Sequence, residues 1–279
     1  MLAGEGRLVA VVPGTRRLES ESPSGYQDRV GSALRSVRAE AAWLCVAPGD
    51  HVPLLVAAAL GAGMHVLAEK PWRYSTDTPH LERSAESLGL VVGVDFEYCL
   101  LDAVQSWPAA FGGGAGLSFG GRFDVPSSNR LDLPAMDQLG SHLLALREDA
   151  APQAAIGSLH CGYERPAVRR AWLAGPGGPV AEADFTASTE PILQRVVALF
   201  ESAAAGAHFR FDLSFAERVA VLSAAGGGPG EGRPAQPGRP AAGDVTAPAA
   251  RSSRSPGRSS SRRGGRGPSS SCPACACAW

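Results

Sequence analysis

The sequence predicts an α/β N-terminal domain with a parallel sheet covered on both faces. An α+β domain with an open, mainly antiparallel sheet follows, and then a disordered tail. Three observations carry this. Short apolar runs alternate with helix-like segments through residue 97, the alternation that builds parallel sheets. Over 98–225, strand-like runs are followed by separate helices. Residues 226–279 are dominated by Gly, Pro, Ser and Arg, a composition unable to bury enough apolar surface to offset ordering entropy. The expected boundaries are therefore 1–97, 98–225 and 226–279.

Within the first domain, residues 8–12 (Leu-Val-Ala-Val-Val) read as a buried strand ended by Pro13-Gly14, and 25–37 as a weak helix. Residues 43–47 form a second strand, stopped by Pro48-Gly49. Residues 53–60 make a Leu/Ala-rich helix that exits at Gly61-Ala-Gly63. A third strand occupies 64–68. Thr78-Pro79 starts a helix with a hydroxyl cap and Pro in its first turn, Gly89 stops it, and 90–94 is a fourth strand. In the second domain, Gly112-Gly-Gly-Ala-Gly116 is a loop, 117–123 a strand, and 136–146 apolar at helical spacing. Strands are expected at 154–161, 168–173, 180–186 and 208–212. Helices are expected at 190–204 and 213–224, the former with Ile192, Leu193, Val196, Val197, Phe200 and Ala203 on one face.

Composition excludes several classes. The formal charge of −1 divides into an acidic body and a tail with eight Arg against Glu231 and Asp244. An acidic body gives no reason to expect nucleic acid. No apolar run approaches the roughly 20 residues of a membrane span, and the first residues lack a secretion signal. Cys45, Cys99 and Cys161 lie apart in apolar segments, as small buried hydrophobes do. The tail's Cys272, Cys275 and Cys277 fall short of the four ligands of a structural zinc site. His80, His160 and His208 share no metal spacing, so no metal is expected. A cytoplasmic protein is the expectation. The tail's Gly/Pro/Arg/Ser bias resembles that of GC-rich sequence translated out of frame, a hypothesis that the encoding DNA would test.

Lys70 is the chain's one lysine beside 25 Arg, and it follows the third strand directly in Glu69-Lys70-Pro71. The carboxyl ends of parallel strands are where open α/β sheets bind ligands. A lysine there is a compact, rotatable donor; a solvated surface lysine is the plainer alternative. The stretch Ala47-Pro-Gly-Asp-His51, Ala58-Ala-Leu-Gly-Ala-Gly63 and Met64-His-Val-Leu-Ala-Glu-Lys-Pro71 resembles the Gfo/Idh/MocA family of nicotinamide-dependent oxidoreductases. The resemblance spans about residues 7–225 and is densest over 41–71. It implies a Rossmann domain followed by an open-sheet domain, with Lys70 as catalytic lysine beside the nicotinamide and the substrate hydroxyl. In the family the Lys-Pro bond is often cis. Asp137-Gln-Leu-Gly140-Ser-His142 resembles the family's Asp-x-Gly-x-His segment. That makes His142 the acid/base, opposite a structural reading as a helix histidine among Leu139, Leu143 and Leu144. Aligning Gly140 and His142 puts Gln138, not Asp137, at the acidic position.

The implied cofactor is NADP or NAD, contacted by Thr15, Arg16, Arg17, Pro48, His51, Glu69 and Lys70. The Thr-Arg-Arg turn, with no acid before Glu19, favours NADP. The implied substrate is a sugar, cyclitol or related hydroxy or keto metabolite. Tyr98, Asp137 and Gln138 are its expected contacts, with Arg122 and Tyr163 lining the pocket. An open sheet face implies a homo-oligomer. Residues 8–12 match the family's second strand, so the opening strand and its Gly-x-Gly-x-x-Gly turn are expected to be missing. The alternative function is thus a truncated, inactive member serving as a binding or structural subunit.

Overall fold

The computed structural model describes residues 10–13, 17–18, 20–73, 75–126, 134–226 and 275–278. The tail between 227 and 274, and the proposed cofactor residues Thr15 and Arg16, lie outside the described residues.

The first sheet has four mutually parallel strands at its frame: β1 (Ala10–Pro13), β2 (Ala41–Cys45), β3 (His65–Glu69) and β4 (Val92–Asp95). Helices α1 (Pro23–Arg35), α2 (Val52–Leu60) and α3 (Thr78–Leu88) connect them. These elements lie within a few residues of their predicted places. Pro23 opens α1, where Ser22 caps the Gly25 N–H at 3.0 Å. Gly89 ends α3 at φ 65°, the left-handed exit that glycine takes without a Cβ penalty. One cap differs from expectation. Thr78 sits inside the first turn of α3, and its hydroxyl accepts from the Trp72 indole at 3.3 Å rather than capping the helix.

The strand order is β1, β9, β2, β3, β4, where β9 is Cys275–Ala278. Two expectations are corrected here. The sheet is not wholly parallel, and four residues of the expected disordered tail are a strand. β9 pairs antiparallel with both β1 and β2, with Cys275 opposite Pro13 and Cys45. It fills a gap one strand wide and gives two otherwise open edges a backbone partner.

After β4 come a 3₁₀ turn (Glu97–Leu100) and two short helices, α4 (Asp102–Gln105) and α5 (Trp107–Phe111). The glycine loop follows as predicted; Gly112, Gly113, Gly114 and Gly116 all have positive φ. The second sheet has the order β6, β5, β7, β8, formed by β5 (Ser118–Asp124), β6 (Ala155–Gly162), β7 (Val168–Gly175) and β8 (Gly178–Asp184). β5 and β6 are parallel and the other two pairings antiparallel. Helix α6 (Ala135–Ala150) covers one face, with Leu143 against Gly121. The other face is open along Ala155–Ser158.

Helices α7 (Ile192–Ala204) and α8 (Leu213–Gly226) complete the order. The α7 face forms as predicted: Val196, Val197, Phe200 and Ala203 are buried, with Ile192 and Leu193 partly so. Residues 208–212 are not a strand. They make one antiparallel bridge, Gly93 to Asp212, and Val94 donates to the Phe211 carbonyl at 2.9 Å. Phe209, Phe211 and Phe215 instead join Phe96 and Phe200 in an edge-to-face cluster beside β4.

Candidate functional site

The carboxyl ends of β2, β3 and β4 lie side by side, and the chain leaving each supplies a wall. After β2 come Pro48, Gly49 and Asp50; after β3, Lys70, Pro71 and Trp72; after β4, Asp95 to Tyr98. Lys70–Pro71 is cis. A cleft of about 310 Å³ runs between the starts of α2 and α3, lined by Gly49, Asp50, Pro53, Pro71, Trp72 and Asp77. A second hollow of about 270 Å³ lies across Pro71–Arg73, against Asp137 and Ser141 of α6. Pro71 and Trp72 are thus a shared wall, held to α3 by the Trp72–Thr78 hydrogen bond.

Lys70 Nζ lies 2.7 Å from His142 Nε2, joining residues 72 positions apart. His142 is buried on α6, its ring stacked on Phe123 at 4.5 Å and met edge-on by Tyr98 at 4.7 Å. Burial, then the charges of Lys70 and Arg169, hold its imidazole well below the ordinary histidine range. A neutral ring that accepts from the ammonium through Nε2 carries its proton on Nδ1. Nδ1 is buried and has no hydrogen-bond partner among the described residues.

Beneath Lys70 are three carboxyl groups. Glu69 pairs with Asp95 across β3 and β4, and Glu97 follows two residues on. Burial pushes Glu69 up to about 7, with the Glu97 charge adding to it and Lys70 and a Trp43 hydrogen bond opposing. Asp95 is raised well above the carboxylate range by burial and then by Glu97 and Glu69. Glu97 is raised by burial, with Lys70 the chief opposing charge. Asp95 and Glu97 lie close enough to act on each other directly, and the Glu97 charge is among the causes that raise Asp95.

The other predicted residues divide. Gln138 lies one turn before His142 on α6, and its side-chain oxygen accepts from the Tyr163 hydroxyl. Asp137 is exposed and faces the second hollow with Ser141. Tyr98 packs on His142 and Phe123. Pro48 and His51 are half-buried beside the start of α2; burial lowers the His51 imidazole. Arg17 is exposed, and its guanidinium donates to the Glu21 carbonyl at 3.1 and 3.0 Å. Arg122 does not line the pocket. Alternation along β5 sends it to the opposite face from Phe123, where it binds Asp124 and Glu164. Residue-by-residue reading missed Asp95, Glu97 and Phe123. Phe119, Gly121 and Phe123 alternate toward α6, a period-2 signal for the last of these.

The order of elements defines an α/β sheet joined to a mixed-sheet domain whose helix α6 brings His142 to the strand ends. Solved structures share it. A UDP-N-acetylglucosamine 3-dehydrogenase from Acidithiobacillus ferrooxidans is 19% identical at a TM-score of 0.57, over 75% of this chain and 81% of its own. A scyllo-inositol dehydrogenase from Lactobacillus casei is 11% identical at 0.57, over 70% and 78%. The WlbA dehydrogenase from Bordetella pertussis, in complex with NADH and UDP-GlcNAcA, is 14% identical at 0.54, over 70% and 78%. At such identities the likeness is one of fold. No protein-family model and no curated protein sequence matches the chain. Among the described residues, no helix is long and apolar enough to cross a membrane.

Proposed function

We propose that the chain carries the site of a nicotinamide-dependent oxidoreductase acting on a sugar, cyclitol or related hydroxy or keto metabolite. The observation that carries this reading is the 2.7 Å contact between Lys70 and His142 at the carboxyl end of β3. Lys70 is the electrostatic clamp on a substrate oxygen, its ammonium stabilising the alkoxide that develops there. His142 holds or accepts the hydroxyl proton, because burial keeps its ring neutral near pH 7. Phe123 and Tyr98 fix the ring's plane, and Gln138, Asp137 and Tyr98 contact the substrate.

The fit to NAD or NADP is partial. The 310 Å³ cleft beside Lys70 has the size and place for the nicotinamide end of the cofactor. Gly49, Asp50 and Pro71 line it, next in sequence to the assigned Pro48, His51, Glu69 and Lys70, and Thr15, Arg16 and Arg17 are assigned to the adenosine end, with NADP slightly favoured. The nicotinamide supplies hydride transfer when bound. Among the described residues no Gly-x-Gly-x-x-Gly turn leads from a strand into a helix. β9 runs antiparallel between β1 and β2, so no helix N-terminus starts there to meet a pyrophosphate.

That last observation favours a second reading, an inactive binding or structural subunit. In either reading the open sheet face is the surface for a second copy of the chain, and the partner molecule is a small metabolite rather than nucleic acid or membrane. Calorimetric titration with NADPH and NADH, followed by turnover of a sugar and cyclitol panel by wild type and Lys70→Met, separates the two readings. Micromolar cofactor binding with turnover that depends on Lys70 supports the enzyme. Absent or millimolar binding supports the subunit.

A further inference from the structure

On the open face of the second sheet, Asp124, His160 and Glu164 bring one ligand atom each to within 4.8 Å of one another. We propose that they form a divalent-metal site of the zinc or cobalt class, separate from the Lys70–His142 pair. Pairing builds it: β5 and β6 run parallel with Arg122 opposite His160 and Asp124 opposite Gly162, and Glu164 follows two residues later. Neighbours in a sheet are thus brought together from positions 40 apart, which sequence spacing does not reveal.

Two independent details point to a cation. Asp124 is fully buried, yet its Oδ1 receives no hydrogen bond among the described residues. His160 Nε2 lies 3.2 Å from that oxygen, an ion pair only when the imidazole is protonated. With a neutral imidazole, that separation matches the edge of a metal tetrahedron. Metal–ligand bonds of about 2.1 Å give an edge of about 3.4 Å. The second detail is the space itself. A Cβ on Gly162 would stand 2.8 Å from Asp124 Oδ1 and 3.4 Å from His160 Nε2, so glycine keeps the hollow between these ligands open.

Arg122 completes the arrangement from outside. Its Nε donates to Asp124 Oδ2, which turns Oδ1 toward His160, and its Nη2 reaches Glu164 at 3.1 Å. Orientation of a ligating carboxylate by an outer partner is usual in metal sites. Two carboxylates against one guanidinium leave the cluster one negative charge to offer a dication. Imidazole with carboxylate suits zinc or cobalt rather than calcium. Three protein ligands leave a fourth position for water.

Cobalt(II) titration of the full-length chain, followed by visible and near-ultraviolet absorbance, tests this. Oxygen and nitrogen ligation gives a weak visible band without the intense near-ultraviolet thiolate band. Any metal held by Cys272, Cys275 and Cys277 would carry that thiolate band. The expected result is a visible, thiolate-free band saturating at one equivalent. His160→Ala and Glu164→Gln, both exposed positions, should weaken it at least tenfold with the circular dichroism unchanged. Gly162→Ala, which keeps every ligand and fills the hollow, should weaken it likewise. A band of undiminished affinity in His160→Ala and Gly162→Ala overturns the site, as does a spectrum of thiolate character alone or no binding at millimolar cobalt.

Discussion

Replacing Glu69 with Gln removes one titrating group from beneath Lys70 while keeping its shape and its acceptor for the Trp43 indole. The carboxyl titrates near 4.5 in an unfolded chain and at about 7 in the folded one. Between those values the folded protein binds the extra proton, so stability falls as pH rises through the window. At 1.36 kcal/mol per pKa unit, the full difference is about 3 kcal/mol, present below pH 4.5 and lost above pH 7. Glutamine is neutral throughout and escapes that loss. Urea unfolding of both proteins from pH 4.5 to pH 8, extrapolated to water, reads the effect. The stability of Glu69→Gln relative to wild type should rise by about 3 kcal/mol across that range. A gap that stays constant, or that shrinks as pH rises, would refute the placement of an uncompensated carboxyl in this pocket.

Lys70→Met should lower turnover about 10²–10³-fold, the usual cost of removing one charge-stabilising donor, while the circular dichroism spectrum stays that of wild type. His142→Gln should become progressively more stable relative to wild type as pH falls below 6.5. The buried wild-type ring resists protonation while the unfolded ring accepts it, and unfolding curves at pH 5 and pH 7 would show this. Gly93→Ala should destabilise by about 1–3 kcal/mol, because a Cβ there would stand 2.0 Å from the Phe209 ring; thermal melts measure it. Phe123→Ala should cost about 3–5 kcal/mol and leave His142 without its stacking partner, seen as a lowered denaturation midpoint and altered imidazole resonances.

Much of the fold is legible because local chemistry decides it. Pro at a helix start, Gly at a helix exit and short apolar runs place α1–α3 and β2–β4 within a few residues. The Lys70–His142 meeting was legible only through resemblance, since nothing in periodicity joins positions 70 and 142. Glu69 was legible beside Lys70, but Asp95 and Glu97 were not, because Glu69 meets Asp95 only through strand register. Residues 208–212 carry alternating aromatics that mimic a strand. Their rings are taken up by β4 and α7, so the backbone makes a single bridge. Thr78 shows the same limit: its hydroxyl satisfies either a helix end or an indole, and only tertiary packing brings Trp72 near.

The strand β9 escapes sequence reading for a different reason. Cys-Ala-Cys-Ala is short, uncharged and built of small side chains, and its partners β1 and β2 lie more than 200 residues upstream. Its role is set by what the sheet lacks. Two parallel strands one strand-width apart leave facing rows of N–H and C=O groups, and any extended segment satisfies them in either direction. Direction nevertheless matters for chemistry. A parallel strand in that slot delivers its carboxyl end, and the helix that follows, to the edge where Lys70 sits. The antiparallel β9 brings Cys275, its amino end, to that edge beside Pro13 and Cys45. The hydrogen bonds of the sheet and the phosphate cradle of a dinucleotide site are therefore separable, and this sheet closes without starting a helix there. That separation makes cofactor affinity, rather than folding, the quantity that divides the two functional readings.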